Sequence, residues 1–208
     1  MHKFLIVGLG NIGAEYAHTR HNIGFDVVSA FVLKHGGMFK NDRLADVATV
    51  TWKGKQFVCI KPTTYMNLSG KAFKYWMDKE KLEPSQTLTI VDDLALPLNK
   101  MRLRGSGSDA GHNGLKDIQL MLGTDVYPKL RFGIGNNFNK GGQVDFVLGN
   151  GNQFPKGGQV DFVLGKWLPG EQPVIAQKID KSIEMIESFA AIGLDRTMTI
   201  CNALNFEI

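Results

Sequence analysis

A short apolar run that closes on a glycine-rich loop constrains the fold of this chain more than any other feature. Phe4–Val7 has the length and β-branched character of a fully buried strand. Glycines follow at once, polar residues continue to Asn22, and helical periodicity begins at Ile23. A strand that ends in a polar loop before the first helix places reactive groups at the carboxyl edge of an α/β sheet, where such folds bind ligands.

The segment Gly8–Gly13 also reads G-x-G-x-x-G, the fingerprint of dinucleotide-binding folds. That fingerprint needs a helix that begins within the glycines, and a parallel crossover to the next strand. Here a mostly polar run, 14–22, comes first, and a hairpin pattern then follows the first helix, with strands at 46–52 and 56–60 joined by Lys53–Lys55. A nucleotide-dependent enzyme is therefore the weaker alternative, and it predicts saturable binding of NAD or a nucleoside phosphate.

The remaining periodicity predicts one domain over residues 1–208, with a mostly parallel, twisted mixed sheet and helices on both faces. Asn67 or Ser69 is expected to cap a helix that buries Ala72, Phe73, Trp76 and Met77. The other predicted elements are a helix from about Ile23 to His35, strands at 88–91, 100–104 and 127–135, and helices from Pro173 and over 194–204. In 100–104 the cations are expected on the solvent side.

Composition limits where the protein works. The net charge is +4 with a pI near 9.0, which is compatible with a polyanionic partner without requiring one. Cys59 and Cys201 are far apart in the chain, which favours a reducing compartment over a disulfide or metal framework. No pattern of a signal peptide, a membrane span or a coiled coil is present. We therefore expect a cytoplasmic monomer that does not bind membranes and has no obligate protein partner.

A tandem duplication interrupts the second half of the chain. Residues 135–150 (GNNFNKGGQVDFVLGN) are followed by residues 151–166 (GNQFPKGGQVDFVLGK). Two copies do not make a solenoid, and loops tolerate insertions, so one copy should suffice for the fold. We favour the second copy as the native one, because it continues through Lys166–Leu168 into the C-terminal helix.

Several polar residues fall on loops at predicted strand ends. His21 with Asp92 offers a base and a carboxylate that orients it, and water would be the nucleophile, since no serine or cysteine stands beside them. A zinc site is the alternative, although no metal-ligand spacing supports it. The set comprises His21, Asp92, Asp93, His112 and the asparagines Asn11, Asn67 and Asn113.

These same residues lie in segments that resemble a known family. The stretches 8–25, 61–70, 92–97 and 111–116 are similar, in order and spacing, to four motifs of the bacterial peptidyl-tRNA hydrolases. The resemblance implies the phosphorylase/hydrolase-like α/β fold of that family. It also implies hydrolysis of the ester between peptide and tRNA in peptidyl-tRNA, which releases free tRNA for translation. It implies no metal and no cofactor.

The resemblance also assigns roles to individual residues. His21 matches the catalytic base, Asp92 its orienting partner, and Asn113 the asparagine that positions the attacking water and contacts substrate. Arg104 and Arg131 match cations that face tRNA phosphate, a task that suits the planar guanidinium. Residues that match those holding the peptide and the tRNA end are Asn11, Tyr16, Met66 and Asn67.

The chain departs from the family pattern at a few positions. Ile12 stands where proline is usual, Ala95 where aspartate is common, and Asp109 adds a negative charge near a loop expected to face tRNA. The duplication falls where the family has a lid over the substrate channel. These departures affect the expected affinity and lid motion more than the chemistry. A catalytically idle, RNA-binding relative is the second alternative, and the presence of His21, Asp92 and Asn113 together argues against it.

Overall fold

The computed structural model describes residues 2–136 and 158–207. In this part of the chain a seven-stranded sheet has the order β2-β3-β4-β1-β5-β7-β6. The strands are β1 (His2–Gly8), β2 (Lys40–Asp42), β3 (Ala45–Trp52), β4 (Lys55–Pro62), β5 (Thr87–Asp93), β6 (Met101–Arg104) and β7 (Lys129–Gly133). The helices are α1 (Ile23–Lys34), α2 (Ser69–Lys79), α3 (Asn113–Leu122), α4 (Gln159–Val163), α5 (Gln172–Ile192) and α6 (Leu194–Ala203).

The sheet is parallel at its centre and antiparallel at its edges. Strands β4, β1, β5 and β7 are mutually parallel neighbours. The pairs β2–β3, β3–β4 and β6–β7 are antiparallel. The predicted mixed α/β sheet is therefore confirmed, whereas the short elements β2 and α4 were not predicted because neither has enough residues to show a periodicity.

Both faces of the sheet are covered. Successive residues of a strand point to opposite faces, so Ile6 packs with α1, α5 and α6, while Leu5 packs with α2 and α3. All the residues of β5 are buried, as expected for a central strand between two helical layers. The helices on both faces thus also agree with the prediction. No helix of the described ranges combines the length and the apolar character that a membrane crossing needs.

Two glycines allow α1 to start directly against the sheet. A Cβ on Gly8 would lie 2.3 Å from the carbonyl oxygen of Gly24, and a Cβ on Gly24 would lie 2.5 Å from the backbone of Leu9 and Ile90. Neither position can therefore carry a side chain without moving the backbone. This close approach brings the turn before α1, Arg20–Asn22, against β5.

The local predictions succeed where they rest on alternation and fail at one cap. In β6, Met101 and Leu103 are buried while Arg102 and Arg104 face solvent, as predicted. The β3–β4 hairpin turn has two left-handed residues, Lys53 and Gly54, so Lys55 already belongs to β4.

The predicted capping of α2 is wrong. Its N-cap position is Leu68, with no side-chain hydrogen bond, and Asn67 lies one residue earlier in a 3-10 turn, Met66–Leu68. The Asp117 carboxylate of α3 accepts instead from the Gly70 N–H at 2.7 Å. A carboxylate at a helix N-terminus satisfies a free N–H and complements the helix dipole. Packing of α3 against α2 therefore replaces the local cap.

Candidate active site

The order of the strands creates a crevice at the carboxyl ends of β1 and β5. After β1 the chain crosses to the side of the sheet that holds β2, β3 and β4, whereas after β5 it crosses to the other side, which holds β6 and β7. Such a reversal of direction is the place where open α/β sheets bind ligands. His21 follows β1 and Asp92 lies near the end of β5, so both side chains reach this crevice.

His21 and Asp92 are hydrogen-bonded to each other. Nδ1 of His21 lies 2.9 Å from Oδ1 and 3.0 Å from Oδ2 of Asp92. An ionised carboxylate only accepts, so Nδ1 carries the proton and donates it to this bond. The exposed fraction is 16% for the His21 side chain and 3% for that of Asp92. The carboxylate is therefore sealed behind an imidazole whose Nε2 can still meet solvent or substrate.

His112 is a second histidine bonded to Asp92. Its Nε2 lies 3.0 Å from Asp92 Oδ1, and its Nδ1 accepts from the N–H groups of Gly114 and Leu115 at 3.2 and 3.4 Å. The two N–H groups occupy the lone pair of Nδ1, so the proton of a neutral His112 is on Nε2. His112 is thus the N-cap of α3 and, at the same time, a donor to the buried carboxylate.

Interactions among His21, His112 and Asp92 set the charge of the Asp92 carboxylate and the basicity of His21. Burial alone would raise the pKa of Asp92, but the electrostatic and hydrogen-bond interactions with His112 and His21 outweigh it and hold this pKa well below its usual range. Burial would lower the pKa of His21, but Asp92 outweighs it and raises this pKa above 6.5. Asp92 is therefore ionised at neutral pH, and His21 is a stronger base than a free imidazole.

A cavity of about 570 Å³ opens in front of this group. Of the residues with predicted roles, Tyr16, Asn67 and Arg104 are absent from its wall, and both Asn67 and Arg104 are exposed to solvent. Those that line the wall are His21, Asp92, Asn113, Asn11, Met66 and Arg131.

Asn22 fixes the loop that carries Asn11. Its side-chain oxygen accepts from the Asn11 N–H at 2.8 Å, and its side-chain nitrogen donates to the Asn11 carbonyl at 2.9 Å. Because Asn22 is buried and directly follows His21, this pair locks the loop after β1 to the turn that holds the histidine. The backbone of Asn11 is thereby held in place, and its side chain is left to face the cavity.

Arg131 and Arg104 differ in their surroundings. The Arg131 guanidinium donates to Asp93 Oδ2 at 3.2 Å and to the carbonyl of Ser108, which ties β7 to β5 and to the loop before α3. Asp93 is buried, and its second oxygen accepts from the Ala95 N–H at 2.8 Å. Arg104 is exposed at the end of the edge strand β6. Arg131 therefore has a structural partner, and Arg104 remains accessible to a ligand.

Helix α4 belongs to the second copy of the duplicated segment and forms one wall of the cavity. The residues that it and its C-cap contribute there are Gln159, Val160, Val163 and Leu164. Most of the first copy, 137–150, and the start of the second, 151–157, lie outside the described residues.

Neither the nucleotide alternative nor the metal alternative is favoured by the geometry. Helix α1 begins at Ile23, far beyond Gly13, so its N-terminus does not follow the glycines as a dinucleotide fingerprint requires. Among the described residues, His21, Asp92 and His112 form a group whose potential ligand atoms lie within 4.8 Å of one another. Nδ1 of His21, Nε2 of His112 and Oδ1 of Asp92 are already joined by the hydrogen bonds described above.

Sequence reasoning missed the roles of His112, Asn22 and α4. His112 could have been found from its position, because a histidine directly before a helix can accept from the first N–H groups. No pattern in the sequence indicates that its other nitrogen reaches Asp92. The roles of Asn22 and α4 depend on contacts between segments that are distant in sequence or lie on separate turns.

The fold and the site together define an α/β enzyme with a histidine–carboxylate pair at its switch point, without a nucleophilic serine or cysteine in the described cavity wall. The sequence model of the peptidyl-tRNA hydrolase family matches residues 5–154. This chain belongs to that family, as predicted.

Individual relatives agree with this assignment. The chain is 46% identical over 200 residues to the peptidyl-tRNA hydrolase of Phocaeicola vulgatus, covering 96% of this chain and 98% of that one. It is 44% identical to the enzyme of the same name from Porphyromonas gingivalis, covering 96% and 100%. The crystal structure of peptidyl-tRNA hydrolase from Acinetobacter baumannii superimposes with a TM-score of 0.83 at 30% identity, covering 97% and 95% of the two chains.

Proposed function

We propose that this chain hydrolyses the ester bond between peptide and tRNA in peptidyl-tRNA, with His21 as the general base and Asp92 as the group that orients it. One observation carries the proposal: Asp92 accepts a hydrogen bond from the Nδ1–H of His21 at 2.9 Å, which leaves Nε2 free to accept a proton at the cavity. A base needs this combination of a fixed tautomer and a free nitrogen. Membership of the peptidyl-tRNA hydrolase family supplies the substrate class.

The reaction needs only groups that line the cavity and a water molecule. Water gives a proton to His21 Nε2 while its oxygen attacks the ester carbonyl, and the ionised Asp92 stabilises the imidazolium that forms. The tetrahedral intermediate then collapses, and the bond to the ribose oxygen breaks. The imidazolium returns the proton to that oxygen, so the products are a peptide with a free carboxyl group and a tRNA with a free hydroxyl group.

The asparagines around His21 are suited to hold the substrate. Asn113 is exposed at the start of α3 and next to His112, where its carboxamide can bond the attacking water. Asn11 can donate to a peptide carbonyl and accept from a peptide N–H. Met66 lines the same cavity, where its thioether can contact apolar groups. Tyr16 and Asn67 lie outside the cavity wall, so we place their contacts on a longer part of the substrate.

Arg104 is the stronger candidate for a contact with tRNA phosphate. It is exposed, whereas the Arg131 guanidinium is bonded to Asp93 and Ser108. A phosphate would have to compete with these partners at Arg131, whereas Arg104 faces solvent on the edge strand. We therefore propose that Arg131 contributes mainly by holding the cavity wall. We also propose that the protein acts as a monomer in the cytoplasm, which light scattering at assay concentration and cell fractionation can test.

The deciding experiment is release of tRNA from N-acetylaminoacyl-tRNA by the purified protein. Unblocked aminoacyl-tRNA is the substrate control, and His21→Ala is compared with His18→Ala, a matched change of an exposed histidine outside the cavity wall. We expect turnover of the blocked substrate alone, and its loss only in His21→Ala. Binding of RNA without turnover would favour the idle relative instead.

Two further arms of the assay address the remaining alternatives. Dialysis against a chelator should leave the rate unchanged, because hydrogen bonds already join Asp92 to Nδ1 of His21 and to Nε2 of His112, and the proposed reaction needs His21 Nε2 free to accept a proton. A rate that disappears and returns with Zn²⁺ would establish the metal mechanism. Saturable binding of NAD would support the nucleotide-dependent enzyme.

A further inference from the structure

We propose that Arg20 is a positioning residue that anchors one wall of the cavity to the turn carrying His21. This wall, hereafter the roof, is the segment 158–168, which contains α4. The inference rests on the proposed function, because the roof matters to catalysis only if the cavity binds the substrate. Arg20 directly precedes His21 in the same 3-10 turn, Arg20–Asn22.

Hydrogen bonds from Arg20 to backbone carbonyls join the turn that carries His21 to the end of the roof. Its N–H donates to the Gly165 carbonyl at 3.0 Å, and its Nη1 donates to the Lys166 carbonyl at 2.8 Å. The preceding residue, Thr19, forms an isolated antiparallel bridge with Lys166. The turn of the histidine and the end of the roof therefore form a short, continuous hydrogen-bonded contact.

The side chain of Arg20 reinforces this contact by pairing with a carboxylate and by stacking on two aromatic rings. Nη2 lies 2.7 Å from Glu171 Oε2, and the same carboxylate oxygen accepts from the Leu168 N–H at 2.7 Å. The guanidinium carbon lies 4.4 Å from the centre of the Phe162 ring and 5.1 Å from that of Trp167. Arginine suits this position because its planar fork can bond two acceptors and stack on aromatic rings at once.

The burial of Arg20 makes these interactions strong. Arg20 is 5% exposed, so its charge is shielded from water, and Glu171 is the carboxylate paired with it. Removal of one partner from a buried pair leaves an uncompensated charge and is strongly destabilising. The pair therefore holds the roof in one position. Val160 and Val163 of the roof then form an apolar surface over the cavity that contains His21.

The anchor also distinguishes the two copies of the duplicated segment. The string KGGQVDFVLG at 140–149 and 156–165 offers the same ring and carbonyl groups in both copies. Only the second copy is followed by Trp167 and Glu171, which complete the contact with Arg20. After the first copy, the positions equivalent to Trp167 and Glu171 are Gly151 and Pro155, which have neither an aromatic ring nor a charge. We infer that Trp167 and Glu171 select the second copy as the roof.

A kinetic comparison of conservative variants tests the anchor. Arg20→Lys keeps the charge but loses the fork and the stacking, and Glu171→Gln keeps the size but loses the charge. Arg196→Lys is the matched control, on the exposed side of α6. We expect KM for N-acetylaminoacyl-tRNA to rise about fivefold or more in the first two variants while kcat changes less than about threefold, because a displaced roof weakens binding more than proton transfer. A merely structural role would lower the amount of active protein and leave KM unchanged.

Native-state proteolysis tests the same inference without relying on activity. Lys166 is exposed but its carbonyl is bonded to Arg20, so a released roof should allow trypsin to cut after Lys166. Cleavage after Lys53, in the distant β3–β4 turn, is the internal reference. We expect Arg20→Lys and Glu171→Gln to accelerate the cut at Lys166 about tenfold relative to Lys53. Equal ratios in all variants, or unchanged KM values beside an active wild-type enzyme, would overturn the anchor. If the wild type is inactive but the two variants are cut faster at Lys166, only the proposed function is overturned, and the anchor stands.

Discussion

His112 donates its Nε2–H to Asp92 over 3.0 Å from the position directly before α3. The backbone N–H of Gly114 holds the other nitrogen, so the donor cannot turn away without uncapping the helix. The residue that caps α3 therefore shares the carboxylate that orients His21. Loss of this donor should change both the charge distribution of Asp92 and the start of α3.

Replacement of His112 tests this sharing. In His112→Ala, Asp92 keeps its charge but loses one of its two histidine partners, so it interacts more strongly with His21. We expect the pKa of His21 to rise further and the acid limb of kcat/KM to move to higher pH. The loss of the cap should also cost about 1 kcal/mol of unfolding free energy. The pH–rate profile and urea denaturation measure the two effects. An acid limb at the wild-type position would show that the two histidines act independently.

The change Asp92→Asn should shift the same limb in the opposite direction. Asp92 raises the pKa of His21, and the base works only when neutral, so wild-type kcat/KM is lost as the pH falls through a value above 6.5. With asparagine the raising charge is gone, and the limb should move to lower pH while kcat falls about 100-fold or more because the imidazolium loses its stabilisation. A variant with wild-type kcat would exclude Asp92 as the orienting group. Asp195→Asn, an exposed change on α6, is the control.

A buried lysine on α5 should make the stability of the protein depend on pH. Lys178 of α5 is fully buried, and its ammonium donates to the carbonyls of Leu98 and Gly133 at 2.6 and 2.5 Å. Burial lowers the pKa of Lys178 from 10.5 to about 7. The unfolded chain therefore binds more protons than the folded chain between these values, and this group makes the unfolding free energy increase as the pH rises from 7 to 10.

The variant Lys178→Met should reduce that slope. Methionine has a similar length and carries no proton, so the contribution of Lys178 disappears. Lys129 still contributes to the slope, because burial lowers its pKa to about 8. Urea denaturation at pH 7, 8.5 and 10 measures the slope, with Lys181→Met of the same helix as an exposed control. Equal slopes in the variant and the wild type would mean that Lys178 titrates normally in the folded protein.

Deletion of residues 135–150 tests which copy of the duplicated segment is needed. The anchor formed by Arg20, Trp167 and Glu171 lies outside the deleted residues. We expect the shortened chain to keep kcat/KM within about threefold of the wild type, because loops tolerate changes of length at little cost. A loss beyond about 100-fold, with the fold intact by circular dichroism, would show that the first copy contributes to the site.

Much of the framework follows from the sequence. Alternation and apolar runs located β1, β3–β5 and β7, and helical spacing located α1, α2, α5 and α6 within one or two residues, because these signals arise from neighbours along the chain. The same reasoning placed His21 and Asp92 at strand ends, which lie at one edge of the sheet in any parallel α/β fold. The family motifs added the substrate class.

The tertiary structure alone decided which side chains share a partner. The contacts of Arg20 with Glu171 and of Arg131 with Asp93 join residues 151 and 38 positions apart, so no local pattern records them. The cap of α2 by Asp117 is of the same kind. Local sequence sets where strands and helices begin, because hydrogen bonds and side-chain spacing within an element are local. Packing of the helices on the sheet sets which buried charges and free N–H groups meet, because each of them must find a partner among the residues that the fold brings close.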